Sequence, residues 1–157
     1  MTELETTLAV AVDERGVVKT EPPQWVKDYV QDCRRLLGVG DEWRILVHMV
    51  DVIPDNEDAD GIVQADSRYF NATIHLLNSL QDDEYGHEAC LHEVMHIALS
   101  PLSALFQQVL GDMSMAARMA VQEAYSNAEE QCIQRMTRAM LRMIKPETAK
   151  NGRQEPF

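Results

Sequence analysis

Leu91-His92-Glu93-Val94-Met95-His96-Ile97-Ala98-Leu99 is the stretch on which the reading of this chain turns. Its two histidines are four positions apart inside an apolar run, and helical geometry puts residues so spaced on one face, about one turn from each other. One rigid element can then offer both imidazoles to a single metal ion. Zinc binds neutral imidazole at about 2.0–2.1 Å, and a catalytic zinc keeps three protein ligands plus a water, so one more ligand must come from elsewhere in the chain. Glu93, beside the first histidine, is placed to reach that water as a general base.

Downstream, a helical pattern begins after Asp112 and Ser114 and persists to about Ile144. Cys132, Ile133, Met136, Met140, Met143 and Ile144 form its apolar face, with Arg135, Arg138 and Arg142 as a solvated stripe opposite. Glu129 falls near the centre of that apolar face, where a carboxylate is costly unless paired, hydrogen-bonded or bound to a metal. It is the favoured third ligand. Glu130, about 100° further round the helix, is the rival, because helix phase read from sequence can shift by one position.

Upstream of the motif, Asp82-Asp83-Glu84 suits a helix start, since short acidic side chains cap free N–H groups and complement the helix dipole. That helix is expected to run to Ser100-Pro101, where proline disfavours helical geometry in the preceding residue. A second short helix over Pro101–Leu110 would bury Leu102, Leu105, Phe106, Val109 and Leu110, and end at Gly111. His87, five residues before His92, lies round the helix from it and is left out of the metal site.

Two strand-like runs, Gly61–Ala65 and Tyr69–Leu76, read as a hairpin. The second alternates: Phe70, Ala72, Ile74 and Leu76 toward a core, and Asn71, Thr73 and His75 away from it, as in a half-exposed or edge strand with a solvent-facing His75. The acidic loop 55–61 before it lacks the ligand register of a calcium loop and reads as a plain turn, with calcium the minor alternative. Trp43–Ile53 is apolar on both faces and β-branched, hence an interior strand stopped by Pro54. Gln24–Leu37 carries Trp25, Val26, Tyr29, Val30, Cys33 and Leu36 at helical spacing, with Gly38 as a left-handed stop. Leu8–Val12 and Val17-Val18 could pair round Gly16.

With 157 residues, 45% hydrophobic and 25% charged, the chain suits one soluble globular domain. The expected fold class is α+β: an N-terminal helix, a small mixed or antiparallel sheet with an edge strand, the motif helix and C-terminal helices. Residues 1–146 form the domain, and residues 147–157 a flexible tail. Cys33, Cys90 and Cys132 are odd in number, widely spaced and free of any CxxC, so they read as small buried hydrophobes in a reducing compartment. The acidic opening Met1-Thr2-Glu3-Leu4-Glu5 is unlike a secretory signal, and no apolar run is read as a membrane span, so the expected location is cytoplasmic. A net charge of −12 repels phosphate backbones, so no nucleic-acid partner is expected.

On Leu91–His96 and on Ala128-Glu129-Glu130-Gln131-Cys132-Ile133, the chain resembles the zincin metallopeptidases, specifically the gluzincin type whose third ligand is a glutamate on a later helix. The order of elements extends that resemblance over most of residues 24–145. It is also similar to small HExxH proteins of phages and bacteria, most of which have no assigned substrate. Two departures mark it. Leu99 and Leu102 stand where the metzincin extension has glycine and histidine, and no Asn-Glu-x-x-x-Asp sequence surrounds Glu129. The resemblance implies a Zn2+ held by His92, His96 and Glu129, hydrolysis of a peptide or protein substrate with Glu93 as the catalytic base, and an edge strand that pairs with the substrate. Tyr125 would then either stabilise the oxyanion or, as the preferred reading, pack with its hydroxyl in solvent. The alternatives are a non-catalytic zinc-binding interaction protein with an acidic partner-binding surface and, further off, an acidic mimic of nucleic acid.

Overall fold

Trp25, Val26, Tyr29, Val30 and Cys33 recur at helical spacing, and Gln24–Leu36 is accordingly a helix, α1, with Val26, Val30 and Cys33 buried. It ends where Gly38 takes a positive φ of 67°, the left-handed geometry that glycine adopts without a Cβ penalty. The computed structural model describes residues 11–12, 18–53, 56, 58–111 and 113–144. The expected glycine turn at Gly16, the stop at Pro54 and the tail 147–157 lie outside the described residues.

Among the described residues five strands make one mixed sheet: β1 (Ala11–Val12), β2 (Val18–Thr20), β3 (Arg44–Val50), β4 (Gly61–Asp66) and β5 (Asn71–Leu77), in the order β1-β2-β3-β5-β4. The first two pair antiparallel, Val12 opposite Val18. β3 is interior, as its two apolar faces require, with β2 antiparallel on one side and β5 parallel on the other. β4 and β5 form the expected antiparallel hairpin, Val63 opposite Ile74. The class is therefore α+β with a mixed sheet.

Two expectations about β5 are corrected. It is an interior strand, inserted between β3 and β4, and the edge belongs to β4. Ala72, Ile74 and Leu76 do face the helices, but His75 on the other face is also buried, at 6% exposure. Neighbouring strands on both sides cover it, and its ring lies 5.7 Å from that of His48, its partner in the parallel register. Alternation along one strand distinguishes its two faces, but it cannot tell whether the second face is covered.

The motif helix is longer than expected. α2 runs unbroken over Glu84–Leu110 with Pro101 inside it. Pro101 has no N–H for the carbonyl four residues back, that of Ile97, and the Ser100 hydroxyl donates to this carbonyl at 2.9 Å instead. The helix is capped at its start by Asp83, whose side chain accepts from the Gly86 N–H at 2.9 Å. Joined in this way, the two segments make a helix long and apolar enough to cross a membrane by length and composition, which neither would be alone. Leu91, Val94 and Ile97 share the main core with α1, β3 and β5. Of the side chains expected to be buried further on, Leu110 is, whereas Leu102, Leu105 and Val109 are exposed.

α3 covers Met115–Ile144, as expected, and packs against α2. Its buried stripe is Ile133, Thr137 and Leu141 rather than the methionine-rich face, for Met136, Met143 and Ile144 are exposed. Cys132 is exposed too, against the expectation, while Cys33 and Cys90 are buried.

Candidate metal centre

The face that α2 turns toward α3 and the edge strand carries Glu88, His92 and His96, one helical turn apart each. α3 answers with Glu130. Its Oε1 lies 2.9 Å from His92 Nε2, its Oε2 lies 3.4 Å from His96 Nε2, and the two imidazole Nε2 atoms are 3.2 Å apart. One ligand atom from each of the three residues falls within 4.8 Å of the others.

These separations suit a metal centre. Two ligands at about 2.0–2.1 Å from one ion, set at the tetrahedral angle, are roughly 3.3 Å from each other. Two imidazole nitrogens and a carboxylate oxygen are also the donor types zinc accepts. Burial works against a charge on His92, but the hydrogen bond from the ring to Glu130 and the carboxylates nearby leave its pKa raised. The same hydrogen bonds from His92 and His96 hold the Glu130 carboxyl well below the usual carboxylate range.

Glu129, the expected ligand, is not brought to the histidines. Its Oε1 accepts from the Ser103 hydroxyl and, at 3.1 Å, from the Tyr125 hydroxyl. The physical reason is the phase of α3. Relative to the centre of the Ile133–Thr137–Leu141 stripe, Glu130 is displaced by about 20° and Glu129 by about 80° in the other direction. The exposed methionines pull the apparent apolar face toward Glu129. Thr137, fully buried but polar by type, carries no hydrophobic signal to pull it back. Tyr125 is corrected in part: its ring stacks on Phe106 at 3.8 Å, but its hydroxyl is engaged with Glu129 and Ser103 rather than with solvent alone.

Glu93 points from α2 toward β4 and is 6% exposed. Gly61 makes room for it. A Cβ at position 61 would stand 2.9 Å from Glu93 Oε1 and 3.0 Å from its Cγ, closer than side chains pack, so a side chain there would make this carboxylate shift from its place against the edge strand. Burial pushes the Glu93 carboxyl up to about 7, with His96 and His92 opposing and Glu130 and Asp60 reinforcing the shift. A carboxyl poised there can both take and return a proton near neutral pH.

His87, left out of the site from sequence, is occupied elsewhere: it stacks on Tyr29 at 4.0 Å and its Nε2 lies 2.8 Å from Asp82. Arg138, expected in a solvated stripe, donates to Glu88 at 3.0 Å across the mouth of the site. Sequence reasoning missed it because the pairing joins residues on two helices that are far apart in the chain.

The site opens into a cleft of about 770 Å³, lined by Asp58, Asp60, Gly61, Tyr85, His92, Glu93, His96, Glu130 and Arg138 among others. A second cavity of about 590 Å³ continues from it along β4, with Val63 and His96 shared between the two. Comparison with protein-family models, with curated proteins and with solved structures finds no match to this chain.

Proposed function

We propose that the chain is a zinc-dependent peptidase, with His92, His96 and Glu130 as the metal ligands and Glu93 as the general base. The observation that carries this reading is the convergence of three ligand atoms beside a buried carboxylate at the floor of a cleft. Zinc in such a site supplies acidity to a bound water and polarises a carbonyl oxygen. Glu93 takes the proton from the attacking water and returns it to the departing amine as the C–N bond breaks. The edge of β4 that no strand among the described residues pairs with runs along both cavities and would offer backbone N–H and C=O groups to an extended peptide. The edge-strand role moves here from β5.

A second reading, a non-catalytic zinc-binding interaction protein, is favoured by the exposed Leu102, Leu105, Val109, Met115 and Met119 near the α2–α3 turn. One experiment separates the two. The purified chain is stripped with a chelator, reloaded with zinc and incubated with a fluorogenic peptide mixture beside Glu93→Gln treated identically. The peptidase reading expects bound zinc in both and hydrolysis in wild type only. A wild type that takes up no zinc ends both readings, and zinc uptake with no cleavage leaves the interaction protein.

A further inference from the structure

The second cavity holds a carboxylate that the metal centre does not use. Glu129 is half-buried at its wall, and its hydrogen bonds from Ser103 and Tyr125 both fall on Oε1. Those two hydroxyls anchor and orient the carboxylate, since Ser103 sits on α2 and the Tyr125 ring is clamped against Phe106. Among the described residues no lysine or arginine pairs with it. Arg68, the one cationic side chain lining the cavity among the described residues, is already engaged by Asp66, its Nε 3.2 Å from Oδ1 and an Nη 3.0 Å from Oδ2. The other cleft shows the same balance: Arg138 is matched by Glu88, leaving Asp58 and Asp60 as surplus acids. A partly desolvated, oriented carboxylate without a cation is matched best by an incoming one, because charge-assisted hydrogen bonds are the strong ones.

We propose that the cavity walled by Glu129, Ser103 and Gln107 is a specificity pocket for a lysine or arginine side chain of an extended peptide. It rests on the peptidase reading for its position relative to the reacting bond: the cavity begins at His96, so its occupant is close in sequence to the carbonyl that is attacked. β4 rises about 3.3 Å per residue, so Gly61–Asp66 spans roughly five peptide residues, enough to fill both cavities at once. A basic peptide then meets surplus acid at each end, Asp58 and Asp60 in one cavity and Glu129 in the other.

The test measures binding rather than cleavage. Fluorescein-labelled alanine-based heptapeptides with a central lysine or a central norleucine are titrated by anisotropy into zinc-loaded Glu93→Gln protein at physiological salt. The expected result is at least tenfold tighter binding of the lysine peptide, with that preference lost in Glu93→Gln/Glu129→Gln and kept in Glu93→Gln/Glu123→Gln, where an exposed acid on the same helix is removed. A Glu129→Lys version that instead prefers a central glutamate peptide gives the same answer by charge reversal, and serves if the glutamine variant folds poorly. Equal binding of the two peptides, no binding of either, or a preference that survives both Glu129 changes overturns the pocket. Lysine preference in Glu93→Gln, beside a zinc-loaded wild type that cleaves nothing in the fluorogenic mixture, would overturn the peptidase and leave the pocket standing.

Discussion

Glu129 and Glu130 are consecutive on α3 yet serve different cavities: Glu130 Oε1 is 2.9 Å from His92 Nε2, while Glu129 Oε1 is 3.1 Å from the Tyr125 hydroxyl. A step of about 100° round a helix separates the two, so Glu130 turns to His92 and His96 and Glu129 to Ser103 and Tyr125. The proposed metal centre and the proposed side-chain pocket thereby draw on neighbouring residues, and substitutions at the two should divide cleanly. Loss of a group that only supports a ligand costs about 10–100-fold in metal affinity, so Glu130→Ala should weaken zinc by more than about 100-fold and Glu129→Ala by less than about threefold. Competition with a chromophoric chelator measures both. Equal weakening would mean that the two carboxylates exchange places when zinc is present.

Gly61→Ala tests the packing of Glu93. The added methyl would meet Glu93 Oε1 and Leu76 Cδ2, each at 2.9 Å, so one of them must move. Overpacking of this kind typically costs about 1–3 kcal/mol of stability. Hydrolysis should fall by more than stability alone explains, while zinc affinity stays near wild type, because His92, His96 and Glu130 are untouched. Calorimetry and chelator competition on the same sample read the two effects apart, and unchanged hydrolysis would argue against a catalytic place for Glu93.

The proline inside α2 makes a double-mutant cycle informative. Ser100→Ala removes the hydroxyl that serves the Ile97 carbonyl and should cost about 1 kcal/mol, the usual net worth of one hydrogen bond. In Pro101→Ala the alanine N–H can take over that carbonyl, so the protein should gain stability and the further loss of the Ser100 hydroxyl should cost little. The cycle therefore predicts a coupling of about 0.5–1 kcal/mol between adjacent positions. Purely additive effects would mean that the hydroxyl plays no part in carrying the helix past the proline.

Alkaline pH should unfold the protein through its buried thiols. Burial pushes Cys33 and Cys90 up to about 12 from an ordinary 9.0. Both therefore hold their protons in the folded chain at pH values where the unfolded chain releases them. That contribution to stability is complete below about pH 9 and is lost as pH rises toward about 12. Urea midpoints should fall over that window in wild type, and fall less in Cys33→Ala/Cys90→Ala. Iodoacetamide should label exposed Cys132 well before either of the others in the native protein, and a single rate for all three would contradict the burial of the pair.

Local patterns were legible from the residues wherever one segment decides its own conformation. The spacing of α1, the left-handed Gly38, the β4–β5 hairpin, the Asp83 cap and the pairing of His92 with His96 on one helical face all follow from near neighbours. The α+β class followed from those elements in order. Less legible was anything that depends on what covers a surface. Whether His75 meets solvent depends on strands flanking β5 on both sides, and whether Pro101 ends a helix depends on a serine hydroxyl supplying what the proline lacks.

What the sequence by itself determined is therefore the inventory: the elements, the two histidines and adjacent carboxylate on one helix, and a later helix with two candidate glutamates. The tertiary structure decided which of those glutamates turns to the histidines, which strand is the sheet edge and which cavity each carboxylate enters. The reason is that a helix's rotation is set by the side chains its partner can accommodate, here Ile133, Thr137 and Leu141 against α2, and not by the hydrophobicity of its own residues. Methionine is apolar enough to suggest an inward face and flexible enough to be left outside, so the choice between Glu129 and Glu130 was made only when the two helices met.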